Sequence, residues 1–591
     1  MTTARIARAS FALLLLAGCA GAGSADPSGT AGATGTAGSG TPGAAGSGNP
    51  GVAGAGNPGT AGSGTAGGTG TAGSGNPNFQ LECSGPASGR PFLRLMTSGE
   101  LLNTLNDIFP EVKGQWTATL PANRITSHGF DNDAFALVGA QQAGNYVDTA
   151  KALATALIGT PLATILPCST STTADRACAE TFLNKYGRRL FRRPITTAEH
   201  DRYLAFYDAS KAKSDFKTAL KWMAVALIQS PHALYRSELG TDNGAGMRQL
   251  SAYEIATELA YTYTGTTPTD ALLTMAASGN LGNLTDLAKS MLTTDAGKQA
   301  MHRFFEQYLD YAGVASIKKP NIASFESVAP DMVQETRAFI NQVVFQNAGG
   351  LEDLLTANTT NPSRALATYY GTGNMYTGGF PAPASDYASV TRPAALGIGV
   401  LAQGAFLATH AGSDASSPTK RGLFTYYKLF CAAKLQPPDN VPTLDTTAPI
   451  AGVNTTRDLY EKVHALTQGA DGACAYCHRR FDPLGFGFEH FDEGGRYRAK
   501  EKTFDINASG TVPAPAGTIT FTDEQSMMNA IASQPIIHQC MSAYLAAFAY
   551  GSDEACLGAS QVTALQSGSI GVAEAFARLA SEPHFTQRSS Q

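Results

Sequence analysis

Apolar positions in the body of this chain recur at three- and four-residue spacing, the period of helices buried along one face. In SGELLNTLNDIF, Leu101, Leu102, Leu105, Ile108 and Phe109 share a face, and Ser98 is placed to cap the first turn. In TTAEHDRYLAFY, Thr196 and Glu199 stand at capping-box spacing after Pro194, and Ser251 and Glu254 repeat that spacing at the head of SAYEIATELAYTYTG. Phe216, Leu220, Met223 and Leu227 make a stripe that ends at Pro231. Leu459, Val463 and Leu466 make another that stops at Gly469, and SIGVAEAFARLAS supplies a last helix. Strand alternation is scarce: GTVPAPAGTITF, near Thr518 to Phe521, predicts a short hairpin. NTTNPSRALATYYGTGNMYTGGFPAPASDY is rich in Gly and Pro and reads as a loop excursion. CAETFLNKYGRRLFRRP from Cys178 resembles CMSAYLAAFAYGSDEAC from Cys540, and IQSPHALYR resembles LASEPHFTQR. Two related helical bundles, or two unrelated helices of similar composition, would both give that likeness.

The N-terminal residues break the helical pattern. Arg5 and Arg8 precede a short apolar run, Phe11 to Leu16, too short to span a bilayer, and Leu16-Ala17-Gly18-Cys19 follows. Residues 1–18 therefore read as a lipoprotein signal peptide, with Cys19 as the lipidated residue; an ordinary signal peptide with a chance cysteine is the alternative. Ala20 after that cysteine points to the outer membrane. From 19 to 79 the chain repeats GTAGSG at Gly35, Gly59 and Gly70 between GNPG and GNPN, with almost no side chains to bury. Such a segment cannot offset its ordering entropy and is expected to be a disordered tether.

At 591 residues the chain exceeds a single core. Its 15% charged residues and net charge of −5 give no basis for binding nucleic acid or a polybasic membrane surface. The expected class is mainly α, several consecutive helical modules. The expected boundaries are 80–160, 161–243, 248–375, 390–503, which the C-A-Y-C-H of Cys474, Cys477 and His478 marks as cytochrome c-like, and 510–591. Export to an oxidising compartment favours pairing of thiols. Of nine cysteines, setting aside Cys19 and the pair Cys474 and Cys477 leaves six. Local spacing suggests Cys168–Cys178 and Cys540–Cys556, leaving Cys83–Cys431, one of fifteen possible connectivities.

The chemistry concentrates in DGACAYCHRRFDPLGFGFEHFDEGGRYR, from Asp471 to Arg498. Covalent attachment of haem c needs two thiols that meet the vinyl groups on one porphyrin edge and a histidine directly after, so that its imidazole rises under the iron. Cys474, Cys477 and His478 have that spacing. A zinc knuckle completed by Cys431 or His464, and a plain Cys474–Cys477 disulfide, are the alternatives. On the haem reading, His478 is the proximal ligand. The Asp482-Pro483 pair makes a turn after the helix, and a backbone carbonyl there accepts from His478 Nδ1. Phe486, Phe488 and Phe491 wall the pocket, and Arg496 and Arg498 pair with propionates. Met528 is the distal-ligand candidate, ahead of Met527, Met541, His490, His538 and His410.

With these residues the chain resembles a bacterial family of exported multidomain proteins, built from the domain-of-unknown-function modules numbered fifteen eighty-five to fifteen ninety-five and associated with planctomycete-type cytochrome c proteins. GVLAQGAFLATHAGSDASSPTKRG, LFCAAKLQPPDNVP and CAYCHRRFDPLGFGFEHFDEGGRYR carry the resemblance most strongly. RPFLRLMTSGELLNTLNDIFP, FLNKYGRRLFRRPITTAEHDRYLAFYD with SPHALYRSE, LSAYEIATELAYTYTGTTPTDALLTMAASGNL, and FTDEQSMMNAIASQPIIHQCMSAYLAAFAYG with SEPHF resemble the other modules in order. The resemblance implies a haem-binding exported protein and hands over no substrate. The N-terminal module departs from the pattern, and no second CxxCH module is present, which argues against a dihaem peroxidase.

Arg188, Arg189, Arg192 and Arg193 read as a solvated helix face paired with carboxylates rather than a dock for an anion. His410, Ser413, Asp414 and Ser417 lack the G-x-S-x-G elbow of a serine hydrolase. The reading that results is a lipid-anchored exported protein, at the periplasmic face or cell surface of the outer membrane. It carries one haem c and acts in electron transfer or a haem-dependent oxidation, with its redox partner or substrate unknown. The alternative is a non-redox surface binding or scaffold protein whose CxxCH is a structural disulfide or zinc site.

Overall fold

A computed structural model of the chain describes residues 92–166, 168, 175–371, 387–432, 435, 451–468, 473–552 and 570–590, without the side chains of residues 162, 394, 463–468, 473, 474 and 476. The expected signal peptide, Cys19, the tether, Cys83 and Cys556 lie outside them.

The described residues are mostly helical. A short strand β1 (Phe92–Leu95) leads into α1 (Ser98–Ile108), and long helices α2 (Ala140–Gly159), α3 (Asp175–Phe191), α4 (Thr197–Lys211) and α5 (Phe216–Ile228) follow. A single turn, Pro231–Leu234, opens strand β2 (Tyr235–Glu238), and strand β3 (Met247–Gln249) begins the next run. Then come α6 (Ala252–Thr264), α7 (Asp295–Tyr308) and α8 (Phe325–Ile340). Helix α9 (Pro418–Phe424) and helix α10 (Thr456–Gln468) pack against α11 (Ala473–Phe486), which carries the CxxCH segment. The predicted hairpin forms as β4 (Gly510–Ala514) and β5 (Gly517–Phe521). Helices α12 (Glu524–Ala532), α13 (Ile536–Tyr550) and α14 (Val572–Arg578) precede the last strand, β6 (Gln587–Ser589).

The predicted capping boxes at Thr196 and Ser251 are present, each hydroxyl accepting from the amide of the glutamate three residues on. At α1 the box uses Thr97 rather than Ser98. Thr97 Oγ1 accepts from Glu100 N at 3.1 Å and Glu100 Oε2 accepts from Thr97 N at 2.8 Å. The glutamate three residues on selects the cap. Within the expected loop excursion, Ser363 caps a short helix over Arg364–Tyr369, while residues 372–386 lie outside the described part.

Among the described residues, nearly all buried apolar side chains gather in two cores, with a small third cluster at Ala367 and Val390. One joins α1 to α5 and also takes in Tyr261; the other joins residues from Leu250 to Phe585 and takes in Phe130. The described parts of the expected 80–160 and 161–243 stretches thus share a core, as do those of the three that follow, all within one compact unit. Phe130, from the stretch between α1 and α2, joins the second core, its ring 5.8 Å from that of Phe304 and 5.3 Å from that of Phe548.

A frame is used twice. β1 pairs antiparallel with β2, placing Arg94 opposite Arg236, and β3 pairs antiparallel with β6, placing Arg248 opposite Arg588. Met96 N donates to Leu234 O in the first frame, as Leu250 N donates to Thr586 O in the second. In both, a helix-capping hydroxyl follows three residues after the opening arginine. In both, a one-turn helix starting Pro-His precedes the closing strand. The likeness between IQSPHALYR and LASEPHFTQR therefore marks equivalent places in two halves. Where the frames meet, Arg94, Arg236 and Arg588 are buried with Glu100, Glu238 and Glu258, so three guanidinium groups balance three carboxylates away from water.

The arginine cluster after α3 corrects the sequence reading. The helix ends at Phe191, and Arg192 turns left-handed at φ 58° with its side chain buried. Its guanidinium donates to the carbonyls of Leu190, Ala233, His232 and Tyr235. Arg193 grips Glu199, and Arg189 pairs with Asp107 and Asp270. The four arginines do not share one solvated face, because the helix stops before two of them.

Candidate functional site

Helix α11 carries Cys474, Cys477 and His478 and runs through Pro483 to Phe486. The expected turn at Asp482-Pro483 does not form. Proline removes one amide donor from the ladder, and the helix tolerates this only one turn from its end. Because the helix continues, positions 478 and 482 lie one above the other on the same face. His478 Nδ1 is 3.0 Å from Asp482 Oδ2. The partner of the imidazole is thus a side-chain carboxylate rather than the expected backbone carbonyl. Asp482 is itself buried, and its second oxygen accepts from Thr419 Oγ1 at 2.7 Å.

Thr419 stands on α9, which Ser417 caps and Pro418 begins. The two helices cross at backbone contact because each has a glycine at the crossing. A Cβ on Gly485 would lie 1.8 Å from Pro418 O, and one on Gly422 would lie 1.9 Å from Phe481 O. That closeness brings the threonine hydroxyl of one helix to the aspartate of the other. Beyond α9 the ladder widens to an i→i+5 turn over Thr425–Leu429, a geometry often found beside functional sites. Tyr426 from this turn packs on Phe481, whose ring centre is 4.9 Å from that of His478.

The segment after α11 is fixed by Arg421 of α9. Its fully buried guanidinium donates to Phe488 O, Phe491 O, Leu407 O and Asp492 O at 2.8–3.1 Å. Burial lowers its pKa to about 10. Glu489, also buried, accepts from Ser416 Oγ and Arg498; burial pushes its carboxyl up against the pull of Arg421 and Arg498.

The remaining sequence candidates fall into distinct places. Phe486, Phe488 and Phe491 are buried, and the Arg457 guanidinium lies 4.6 Å over the Phe486 ring. Arg496 and Arg498 are held by the protein's own carboxylates, Arg496 by Asp492 at 2.8 Å and Arg498 by Glu489 at 3.1 Å and Glu501 at 3.7 Å. The i,i+4 spacing puts Asp492 within reach of Arg496. Met528 is fully buried in the second core, and Met527 is the methionine seated against Gly487. His410 stacks on Phe406 and caps its helix through Phe406 O, His490 bonds Arg498 O, and His538 pairs with Glu352.

The cysteines keep one expected pair, Cys168–Cys178, and revise the other two. Cys168 is bonded to Cys178, their Cα atoms 5.5 Å apart. Cys431 is bonded to Cys540, with Cα atoms 5.6 Å apart and a separation of 109 residues. That bond displaces both Cys540–Cys556 and Cys83–Cys431. Helix packing sets α13 against the wide turn that ends next to Cys431, and local sequence spacing carries no trace of this. The bond also takes Cys431 out of the alternative zinc set, and the side chain of His464 lies outside the described residues. Among the described residues no group of three or more His, Cys, Asp or Glu is placed to hold a metal ion. Cys477 is half-buried and outside any disulfide.

The donor chemistry fits covalent haem. A thiol and an imidazole stand in consecutive positions on α11, and the contact at Nδ1 would leave Nε2 to hold an iron. Sequence reasoning missed Asp482 as the histidine's partner, Thr419 behind it and the two crossing glycines. The signal for Asp482 was its four-residue offset from His478, obscured by the proline after it.

Four family models match in succession, each described as a protein of unknown function: PSD3 (DUF1587) at 94–159, PSD5 (DUF1595) at 178–238, PSD4 (DUF1592) at 250–372 and PSCyt3 (DUF1588) at 398–501. The last contains α9 and α11 with their crossing. No curated protein and no solved structure matches the chain. The four modules make the chain a member of the multidomain family assembled from the planctomycete cytochrome c-associated modules.

Proposed function

We propose that this protein is an exported, lipid-anchored c-type cytochrome-like protein that carries one covalent haem and acts in electron transfer or in a haem-dependent oxidation. The observation that carries the reading is the state of α11: an unpaired Cys477 beside a His478 whose Nδ1 is already engaged by Asp482. Cys474 and Cys477 would hold the thioether links and His478 Nε2 the iron. When bound, the haem supplies a one-electron couple. The chain orients the imidazole through Asp482 and Thr419 and sets Phe481, backed by Tyr426, beside it. It locks the segment that follows onto α9 through Arg421. Lipid on Cys19 and the 19–79 tether would hold this body at the outer membrane, on its periplasmic or outer face.

The test is a pyridine haemochrome spectrum of the full chain, exported in a host with a cytochrome c maturation system, beside Cys477→Ser. The expected result is a c-type spectrum whose haem survives denaturation, with two-point attachment lost in the variant. A haem-free wild type alongside a matured control cytochrome would sink the reading.

A further inference from the structure

We propose that Asp482 is a positioning residue that gives the His478 ring anionic character and so holds the haem at a low reduction potential. The inference rests on the haem reading of α11 and goes beyond it, because it sets which redox partners the protein can serve.

Three features converge on this carboxylate. Its Oδ2 is 3.0 Å from His478 Nδ1, within charge-assisted hydrogen-bond distance. The His478 and Asp482 side chains are 26% and 5% exposed, so water competes little for the carboxylate. Its Oδ1 is anchored by Thr419 Oγ1 at 2.7 Å, from a helix that the Gly422 and Gly485 contacts hold at a fixed distance. Both oxygens of Asp482 are thus engaged, one across the helix crossing and one along the helix, and the carboxylate has little freedom to turn away.

A carbonyl accepting from Nδ1 would fix only the tautomer and the ring plane. A carboxylate does more, because it draws the Nδ1 proton toward a full negative charge. The imidazole then donates more strongly through Nε2, and ligand basicity rises. Stronger donation favours ferric over ferrous iron. The couple remains one electron, taken from a one-electron donor, and the proton stays between Nδ1 and Oδ2. Bonds to charged acceptors are about twice as strong as neutral ones. The expected effect is at least a tenfold shift of the ferric-to-ferrous ratio, about 59 mV for a one-electron couple. The structure therefore assigns this protein partners that deliver electrons at low potential.

The experiment compares wild type, Asp482→Asn and Thr419→Val, all exported and matured, in a potentiometric titration of the haem with dithionite and ferricyanide. Asparagine keeps the shape and an accepting oxygen and removes the charge. Its midpoint is expected to rise by about 59 mV or more, with a smaller rise for Thr419→Val. The iron–histidine stretch in resonance Raman is expected to fall in the same order. A normal haem content with an unmoved midpoint in Asp482→Asn would overturn the inference and leave the haem reading standing. Haem-free wild type would overturn both. Independent of haem, nitrogen-15 NMR of the unmatured chain should find His478 protonated at Nδ1, and protonation at Nε2 instead would also reject Asp482 as its partner.

Discussion

Replacing Gly485 with alanine tests whether the contact between α9 and α11 is as close as described. The added Cβ would sit 1.8 Å from Pro418 O, 2.4 Å from Pro418 C and 2.5 Å from Pro418 Cα. All three are backbone atoms of a capped helix start and have no side-chain torsion with which to move aside. Restoring ordinary contact at about 3.5 Å requires the helices to part by about 1.5 Å. Overpacking of this kind costs about 3 kcal/mol, the upper part of its usual range. Parting the helices also stretches the Thr419–Asp482 bond from 2.7 Å to beyond hydrogen-bonding range, about 1 kcal/mol more. Alanine returns about 1 kcal/mol in helix propensity. The net loss expected is about 3 kcal/mol, a large share of the roughly 5–15 kcal/mol that holds a protein folded. Urea unfolding followed by circular dichroism gives the measurement. Gly144→Ala is the control: Gly144 lies within α2 and a Cβ there meets nothing within 4 Å, so it should gain about 0.5–1 kcal/mol. Gly422→Ala should resemble Gly485→Ala, and the double variant should cost less than the two together, since either one already parts the helices. A Gly485→Ala protein within about 0.5 kcal/mol of wild type would refute the reasoning.

Arg421→Met should cost about 4 kcal/mol in urea unfolding, because four carbonyls would lose their donor in a dry site at about 1 kcal/mol each; a loss below about 1 kcal/mol would mean that water takes the guanidinium's place. Peptide mapping without reductant should recover Cys431 joined to Cys540, and Cys540→Ala should lose about 4.7 kcal/mol, the entropy of a loop near one hundred residues. Recovery of Cys540 joined to Cys556 would reject that pairing. Glu524, buried and accepting from Ile398 N, has its carboxyl pushed by burial up to about 8. Its contribution to stability is fully present below the unfolded value near 4.3 and is lost as pH rises to about 8, a fall of about 5 kcal/mol. Glu524→Gln should flatten stability against pH across that window, and an unchanged slope would place the charge elsewhere.

Local features were readable in the chain where one or two neighbouring residues decide them. The boxes at Thr196 and Ser251, the stripe through Leu220, Met223 and Leu227, and the hairpin ending at Phe521 all depend on contacts within a few positions. The cap at Thr97 was missed by one residue because Ser98 is an equally good acceptor, and only the glutamate three positions on distinguishes them. What lay beyond reading was set by packing between distant segments. Arg192 looked like one of four surface arginines, yet the carbonyls it serves come from residues about forty positions away. Cys431 meets Cys540 only because α13 packs beside the wide turn after α9. At the CxxCH segment the residue types were legible, while the partner of His478 was not. A proline normally forecasts the end of a helix, and here the helix outlasts it by one turn.

The two strand pairs have a mechanical consequence. β1 receives the chain where the described body begins, and β6 ends it. Both are clasped by the short stretch that holds β2 and β3. Tension on the chain before Phe92 loads the β1–β2 pair first, and tension after Ser589 loads the β3–β6 pair. The buried arginine–glutamate cluster ties these two pairs to each other. A pull at either end is therefore taken up at one anchorage, far along the chain from α9 and α11, and the crossing that positions His478 is spared the strain.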